Sequence, residues 1–230
     1  MWEGDIPLPI APPWSELSAL VGLDEAVLRS TCRRRHFARG EVVFHEGDPV
    51  GAIHLLDKGR VAVRLTTPLG DVATVDVLQQ GDTFGEQALI DRSAFRSATV
   101  TALDNVETLA LDIASAEQLR VQHPRIDRFL LMVVSARLSA TSQRLLEALY
   151  LPADVRVFRC LCRLAAIFVT ESQPCIPLTQ NDIGSMTGAT RSTVSRLLRQ
   201  AQLDGIIAVT RSRLEVRDSE ELRRRARLRS

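Results

Sequence analysis

Between Phe84 and Ala98 the chain gathers residue types that together can clamp a ribose phosphate. Gly85 frees backbone N–H groups to point at an anion. Glu86 supplies a carboxylate that can accept a hydrogen bond from a sugar hydroxyl. An Arg-Ser pair, present both at 92–93 and at 96–97, offers a planar fork for phosphate oxygens with a hydroxyl donor beside it. A short helical loop between the glycine and the arginine would bring these groups to one place.

A second cluster lies near the C-terminus. Thr179-Gln-Asn-Asp182 has the spacing of a capping box, with Asp where Glu or Gln is usual. A short helix should follow to about Met186. Gly188 suits the left-handed residue of a turn between helices. Thr190 can cap a second helix, and Gly205 can end it. Gly184 is small where the helices would cross, and Ile183, Val194 and Leu197 are apolar where they would pack. The pattern is a helix-turn-helix whose second helix reads DNA. A plain helical hairpin is the alternative; the agreement of glycine, caps and apolar positions weighs against it. Arg191, Ser192, Ser195, Arg196 and Arg199 face outward on the second helix. Arg191 and Arg196 suit bidentate contact with guanine. Arg199, Arg211 and Arg213 suit phosphates, and Thr179 and Thr190 complete the candidate DNA contacts at the two helix starts. Residues 206–210 and 214–216 alternate like a hairpin, which would make a winged helix.

The elements that must hold these groups are legible from periodicity. After a Pro-rich start, residues 15–34 read as short helices. Over residues 37–112, period-two stretches such as Val61, Val63, Leu65 are broken by Gly40, Gly47, Gly59, Gly70 and Gly81. That texture argues for a small antiparallel barrel or roll. From Pro124 to Leu149 no glycine and no further proline occurs. Leu131, Val134, Leu138, Thr141, Leu145 and Ala148 form an a/d seam of about two and a half heptads. A helix packed on its own domain would show a similar stripe; the narrow seam and the length favour self-association. Pro152 ends this helix, Asp154 is a candidate N-cap for the next, which should run to about Thr170, and the junction at Leu151 to Ala153 reads as a hinge. The expected organisation is an effector domain at 1–123, a dimerisation helix and hinge at 124–151, and a winged-helix DNA-binding domain at 152–230.

Composition narrows the functional classes. The 230 residues are 45% hydrophobic and 25% charged, ordinary for a globular protein with a real core. No apolar run nears the ~20 residues that span a bilayer. The first residues lack a signal-peptide pattern, so a cytoplasmic protein without a membrane partner is expected. The net charge of +1 conceals an asymmetry: from Ala153 onward 14 arginines face 8 carboxylates, and before it 15 basic residues face 20 acidic ones. A basic back half is consistent with a polyanionic partner. Cys32, Cys160, Cys162 and Cys175 form no C-x-x-C pair, and His36, His45, His54 and His123 are scattered, so no metal set is expected. No nucleophile–base pair or Walker-type loop supports an enzyme.

Across essentially its whole length the sequence resembles the CRP/FNR family of transcriptional regulators. Gly85, Glu86, Arg96, Ser97 and Ala98 look like that family's phosphate-binding cassette, and the spacing from Glu86 to Arg96 fits; Arg92-Ser93-Ala94 repeats the triplet but comes too early. Thr141-Ser142 is similar to the pair that touches adenine in the cyclic-AMP-responsive members, and Arg137 to a residue near the same base. The resemblance implies an α+β fold: an N-terminal cyclic-nucleotide-binding β-roll, a long dimerisation helix and a C-terminal winged helix-turn-helix. It implies a homodimer controlled by cyclic AMP, with Thr141 serving its own subunit's nucleotide and Ser142 the partner's. The expected partners are double-stranded DNA with a two-fold site and, further, RNA polymerase. Ser192 stands where the cyclic-AMP receptor protein has Glu, which puts an identical half-site in doubt. Two alternatives remain open: a member that binds DNA independently of nucleotide, and one that senses another effector.

Overall fold

The computed structural model describes residues 13–227 apart from 15, 18, 20, 21, 23, 90–94, 170–173 and 211–212, and the side chain of 88. Its contacts divide the chain into two compact units, Ile10–Leu138 and Ser139–Ser230.

In the first unit, helix α1 (Glu25–Thr31) opens on Asp24, whose carboxylate accepts from the Ala26 N–H. Among the described residues eight strands follow: β1 (Arg33–Phe37), β2 (Val42–Phe44), β3 (Ala52–Lys58), β4 (Arg60–Thr66), β5 (Val72–Gln79), β6 (Thr83–Phe84), β7 (Thr99–Ala102) and β8 (Val106–Asp112). They form two antiparallel four-stranded sheets, ordered β1-β8-β3-β6 and β2-β7-β4-β5. This is the roll that the glycine-punctuated alternation anticipates. The helical stretch expected through Arg34 ends sooner. Arg33 and Arg34 already pair with Ala110 and Leu109, so the β1–β8 ladder, rather than a helix, takes their backbone groups.

Strand β3 shows why both faces of one sheet are buried. Ile53 and Leu55 join a cluster with Trp14, Leu28, Phe129 and Val133 on the helix side. Leu56 points to the other cluster, inside the roll, with Phe37, Val61, Phe84 and Val100. The helix-side cluster is completed by α2 (Ile113–Gln122), capped by Asp112, and by the first turns of the long helix α3 (Arg125–Tyr150). Phe129 is 2% exposed; truncating such a residue to Ala removes about 3–5 kcal/mol.

The α3 residues that pack on their own unit, Ile126, Phe129 and Val133, are not those of the heptad seam. Leu131, Leu138 and Leu145 are 69%, 66% and 58% exposed, and Thr141 and Ala148 are exposed too. The reading in which the seam is the stripe that packs on its own domain therefore does not hold.

In the second unit, α4 (Ala153–Ile167), β9 (Cys175–Ile176), α5 (Gln180–Thr187), α6 (Arg191–Leu203), β10 (Ile207–Thr210), β11 (Arg213–Val216) and α7 (Ser219–Arg225) follow α3. Asp154 is not the N-cap of α4. Pro152, with extended backbone, takes that place without a side-chain bond, and Asp154 sits in the first turn, where its charge favours the helix dipole. The helix ends at Ile167, and Thr170 lies outside the described residues. The hairpin β10–β11 gains a third strand, β9, in the order β10-β11-β9. Among the described residues no helix is long and apolar enough to cross a membrane, and no group of His, Cys, Asp or Glu could hold a metal ion.

Candidate functional site: an effector pocket and a reader helix

The effector cluster is built where β6 runs into a 3-10 turn, Glu86–Leu89. Gly85 joins them at φ +78°, a conformation L side chains rarely adopt. Space forbids a side chain there as well. A Cβ on Gly85 would lie 2.5 Å from Arg96 Nη1 and 3.2 Å from the Ala52 carbonyl. The glycine thus makes room for the arginine as well as freeing the backbone.

Arg96 is held from several sides. Its Nη2 donates to Ala52 O at 2.8 Å and its Nη1 to Gly85 O at 3.4 Å. Its guanidinium lies 4.0 Å from the centre of the Phe44 ring, a cation–π contact. Its backbone bonds to Asp48 O and Gly47 N fix the segment. Burial lowers the pKa of this guanidinium, against the attraction of Asp48 and Glu86. Arg137, reaching from α3, donates to Glu86 Oε1 at 2.6 Å and to the Thr83 carbonyl. Ser97 is exposed and Ala98 half-buried beside these groups. The decoy triplet Arg92-Ser93-Ala94 lies outside the described residues.

Among the described residues, three buried side-chain polar atoms lack a partner: Thr83 Oγ1, Glu86 Oε2 and Arg96 Nε. All three fall in the span 83–96. A buried donor or acceptor left unpaired costs about 1–3 kcal/mol, so a concentration of them marks a place prepared for a polar ligand. One free carboxylate oxygen and one free guanidinium N–H are the chemistry that a sugar hydroxyl and a phosphate require. The residues therefore fit a nucleotide.

Residues that the sequence reading passed over complete this region. His54 is buried, stacks on Phe84 with ring centres 5.0 Å apart, and bonds through Nδ1 to Thr108 Oγ1 at 3.1 Å. Burial, with the nearby charges of Arg96 and Arg35, lowers its pKa to about 3. Phe44 lies against both His54 and Phe84. A strand-alternation signal exists for Phe44; nothing in the sequence points to the Ala52 carbonyl. Thr141 and Ser142, four and five residues beyond Arg137 along α3, are exposed and belong to the second compact unit.

The reader region is assembled by local rules. The Thr179 hydroxyl accepts from the Asp182 N–H, and the Asp182 carboxylate accepts from the Thr179 N–H, closing the capping box. Gly188 ends α5 at φ +63°. Thr190 caps α6 by accepting from the Thr193 N–H. Gly184 is tight for a different neighbour than anticipated: an added Cβ would meet the Ala189 carbonyl in the turn at 3.0 Å, with Val194 on the facing helix at 3.9 Å. Ile183, Val194 and Leu197 are buried between the helices. Arg191, Ser192, Ser195, Arg196 and Arg199 are all exposed on α6, as are Thr179, Thr190 and Arg213. The Ser192 hydroxyl lies 3.0 Å from that of Thr190. Arg211 lies outside the described residues.

Comparison with known proteins agrees with both halves. Residues 34–123 match the family model described as the cyclic nucleotide-binding domain, and residues 155–225 that of the Crp-like helix-turn-helix domain. The CRP-like cAMP-activated global transcriptional regulator of Mycobacterium tuberculosis is 29% identical over 195 residues, covering 83% of this chain and 87% of the relative. A CRP/FNR family transcriptional regulator of Thermus thermophilus superposes with a TM-score of 0.72 at 19% identity, over 86% of this chain and 100% of that one. The c-di-GMP responsive global regulator of Xanthomonas campestris superposes with a TM-score of 0.69 at 19% identity, over 84% of this chain and 99% of that one. Roll, cassette and helix-turn-helix together define a DNA-binding transcriptional regulator with a cyclic nucleotide-binding domain, a class without enzymatic activity. The chain belongs to the CRP/FNR family.

Proposed function

We propose that this regulator is a homodimer whose affinity for DNA is set by cyclic AMP. The observation that carries the reading is the set of unpartnered buried atoms between Thr83 and Arg96. In it, Arg96 pairs with the cyclic phosphate, the N–H groups around Gly85, Ser97 and Ala98 donate to the same oxygens, and Glu86 Oε2 accepts from the ribose hydroxyl. Arg137 holds the other Glu86 oxygen and lies toward the base. The hydroxyls of Thr141 and Ser142 accept from the adenine amino group, Thr141 in its own subunit and Ser142 for the partner's nucleotide. Cyclic GMP, with a carbonyl at that position, binds less well.

The exposed seam on α3 supports dimerisation, because an uncovered line of leucines at heptad spacing is stabilised by a second copy. Two reader helices about 34 Å apart then meet a two-fold DNA site. Arg191 and Arg196 read guanine, with Ser192 and Ser195 between them. Arg199, Arg211 and Arg213 hold phosphates, and Thr179 and Thr190 hold the backbone at the helix starts. The working division is an effector domain at 1–123, dimerisation helix and hinge at 124–151 and DNA-binding domain at 152–230, in a cytoplasmic protein that can also engage RNA polymerase.

Calorimetric titration with cyclic AMP tests the pocket. Binding is expected for the wild type and is weakened at least about tenfold in Arg96→Ala, the loss of one charge-assisted contact. No heat at millimolar nucleotide would remove cyclic AMP from the account. One observation favours a second reading, DNA binding without nucleotide: Arg137 already pairs with Glu86, so part of the pocket is ordered from within. Equal DNA affinity with and without cyclic AMP would establish that alternative.

A further inference from the structure

The last carbonyls of α3 need partners outside the helix. Arg156, in the first turn of α4, serves one of them and the residue just past the end: its Nη1 donates to Ala148 O at 3.1 Å and to Leu151 O at 2.9 Å. The other edge of the same guanidinium faces the turn between α5 and α6. There Nε donates to Thr187 O at 2.8 Å and Nη2 to Gly188 O at 3.3 Å. One planar fork thus ties the end of the long helix to the turn that launches the reader helix.

A second tie runs behind it. The Glu147 side chain, 4% exposed in the last turns of α3, pairs with Arg159 and Arg163, each at 3.1 Å. Arg159 continues the chain, donating from Nε to Ala226 O at 3.0 Å, where α7 ends. Leu222 and Ala226 are buried, so α7 is docked rather than trailing. From its last turn Arg225 reaches Asp204, the C-cap of the reader helix, at 2.6 Å. The two ends of α6 are therefore both linked by polar contacts to the last turns of α3, one through Arg156 and one through α7.

We propose that these contacts form a bracket, and that Glu147, Arg156, Arg159 and Arg225 are positioning residues for DNA reading. The junction at 151–153, which the sequence marks as a hinge, then transmits a displacement of the α3 end to the reader helix instead of absorbing it. The energetic reason is that Glu147 is buried among charges that it neutralises. Removing one member leaves another charged and unpaired, so the group holds together or fails together. Four carbonyls around one guanidinium add angular restraint, which a lysine's compact ammonium cannot supply. This inference rests on α6 being the reader helix.

The test uses the full-length chain. In Glu147→Gln/Arg159→Met the two most buried charges go together, and only Arg163, the more exposed of the two arginines, loses its carboxylate; this limits the loss of stability, while the link to Ala226 is cut. Arg156→Lys keeps the charge and cuts the fork. Hydrogen exchange is measured on both. The bracket requires that the double variant speed exchange by about tenfold or more in 147–151 and in 222–227 together. It requires that Arg156→Lys do the same in 147–151 and 187–190. Exchange that changes in only one member of either pair, or in neither, overturns it. DNA selected from a random pool gives a readout that mere destabilisation would not move: the wild type selects half-sites at one spacing, and the variants accept several. A single spacing retained by both variants also overturns the bracket. If the wild type itself selects no paired half-sites, the dimeric DNA-reading account fails, and the exchange pattern still decides whether the bracket exists.

Discussion

Gly85→Ala separates backbone strain from loss of the effector site, provided that it is compared with Gly70→Ala. The two glycines have φ of +78° and +88°. Each alanine therefore incurs the left-handed penalty of about 1–2 kcal/mol, which for a chain of this size lowers the unfolding midpoint by roughly 2–8 °C. Their surroundings differ. Nothing lies within 4 Å of a Cβ on Gly70, at the tip of the β4–β5 hairpin, whereas one on Gly85 meets Arg96 Nη1 at 2.5 Å. The guanidinium must move by about an ångström to restore van der Waals contact, which breaks its bond to Ala52 or its seat on Phe44. The two variants therefore share the strain, and Gly85→Ala is expected to lose more stability by about 1.5–3 kcal/mol, the worth of the displaced charge-assisted bond. Only Gly85→Ala is expected to lose nucleotide affinity, by at least about tenfold, the worth of a charge-assisted contact. Thermal unfolding and cyclic AMP calorimetry on both proteins measure the two quantities. Nucleotide binding that survives unchanged in Gly85→Ala, or falls equally in both, would refute the claim that Gly85 exists to seat Arg96.

Leu138→Glu with Leu145→Glu places charges in the exposed seam and is expected to give a monomer in sedimentation that no longer binds DNA; an unchanged dimer removes the seam from the account. Arg191→Ala and Arg196→Ala are expected each to lose about 1–3 kcal/mol of discrimination with non-specific binding nearly intact. Arg213→Ala should weaken all sequences alike and lower the salt slope by about one; the reverse pattern would mean that the wing, and not α6, lies in the groove. For His54, the folded protein holds a neutral imidazole with its pKa lowered from 6.5 to about 3. The unfolded chain binds the proton first as pH falls, so stability is full above pH 6.5 and declines below it, by at most about 1.4 kcal/mol per pH unit. His54→Gln should flatten that decline in denaturant melts taken from pH 7 to pH 4, and an identical slope in wild type and variant would contradict it.

The parts of the molecule that were legible in the sequence are those fixed by near neighbours. Thr179 and Asp182 cap each other across three residues, and Gly188 and Thr190 shape one turn, so the helix-turn-helix is written locally. The heptad spacing of α3 was equally open to view. The stripe that packs on the first unit, Ile126, Phe129 and Val133, interleaves with it and is separable only once the roll is present. What escaped depends on distant partners. Arg33 joins a strand because Ala110 lies opposite. Asp154 looks like a cap, yet Pro152 already supplies the extended residue that starts the helix. Strand β9 spans two residues, too short for any period to register. In the candidate effector site, Gly85 and Glu86 are picked out by residue type, and Arg96 rather than Arg92 only by the spacing of the family that the sequence resembles. Ala52, whose backbone carbonyl anchors Arg96, contributes no side chain to read, and Phe44 becomes part of the site only through the fold.

Whether the nucleotide site governs the reader helix is measured by DNA affinity as a function of cyclic AMP. A labelled duplex selected by the protein itself would be titrated by fluorescence anisotropy at several nucleotide concentrations, with wild type and Arg96→Ala side by side. Wild-type affinity is expected to rise with cyclic AMP and to saturate at one nucleotide per chain, and the Arg96→Ala curve to shift to higher nucleotide by at least about tenfold. A wild-type affinity that is the same at zero and at saturating cyclic AMP would contradict it.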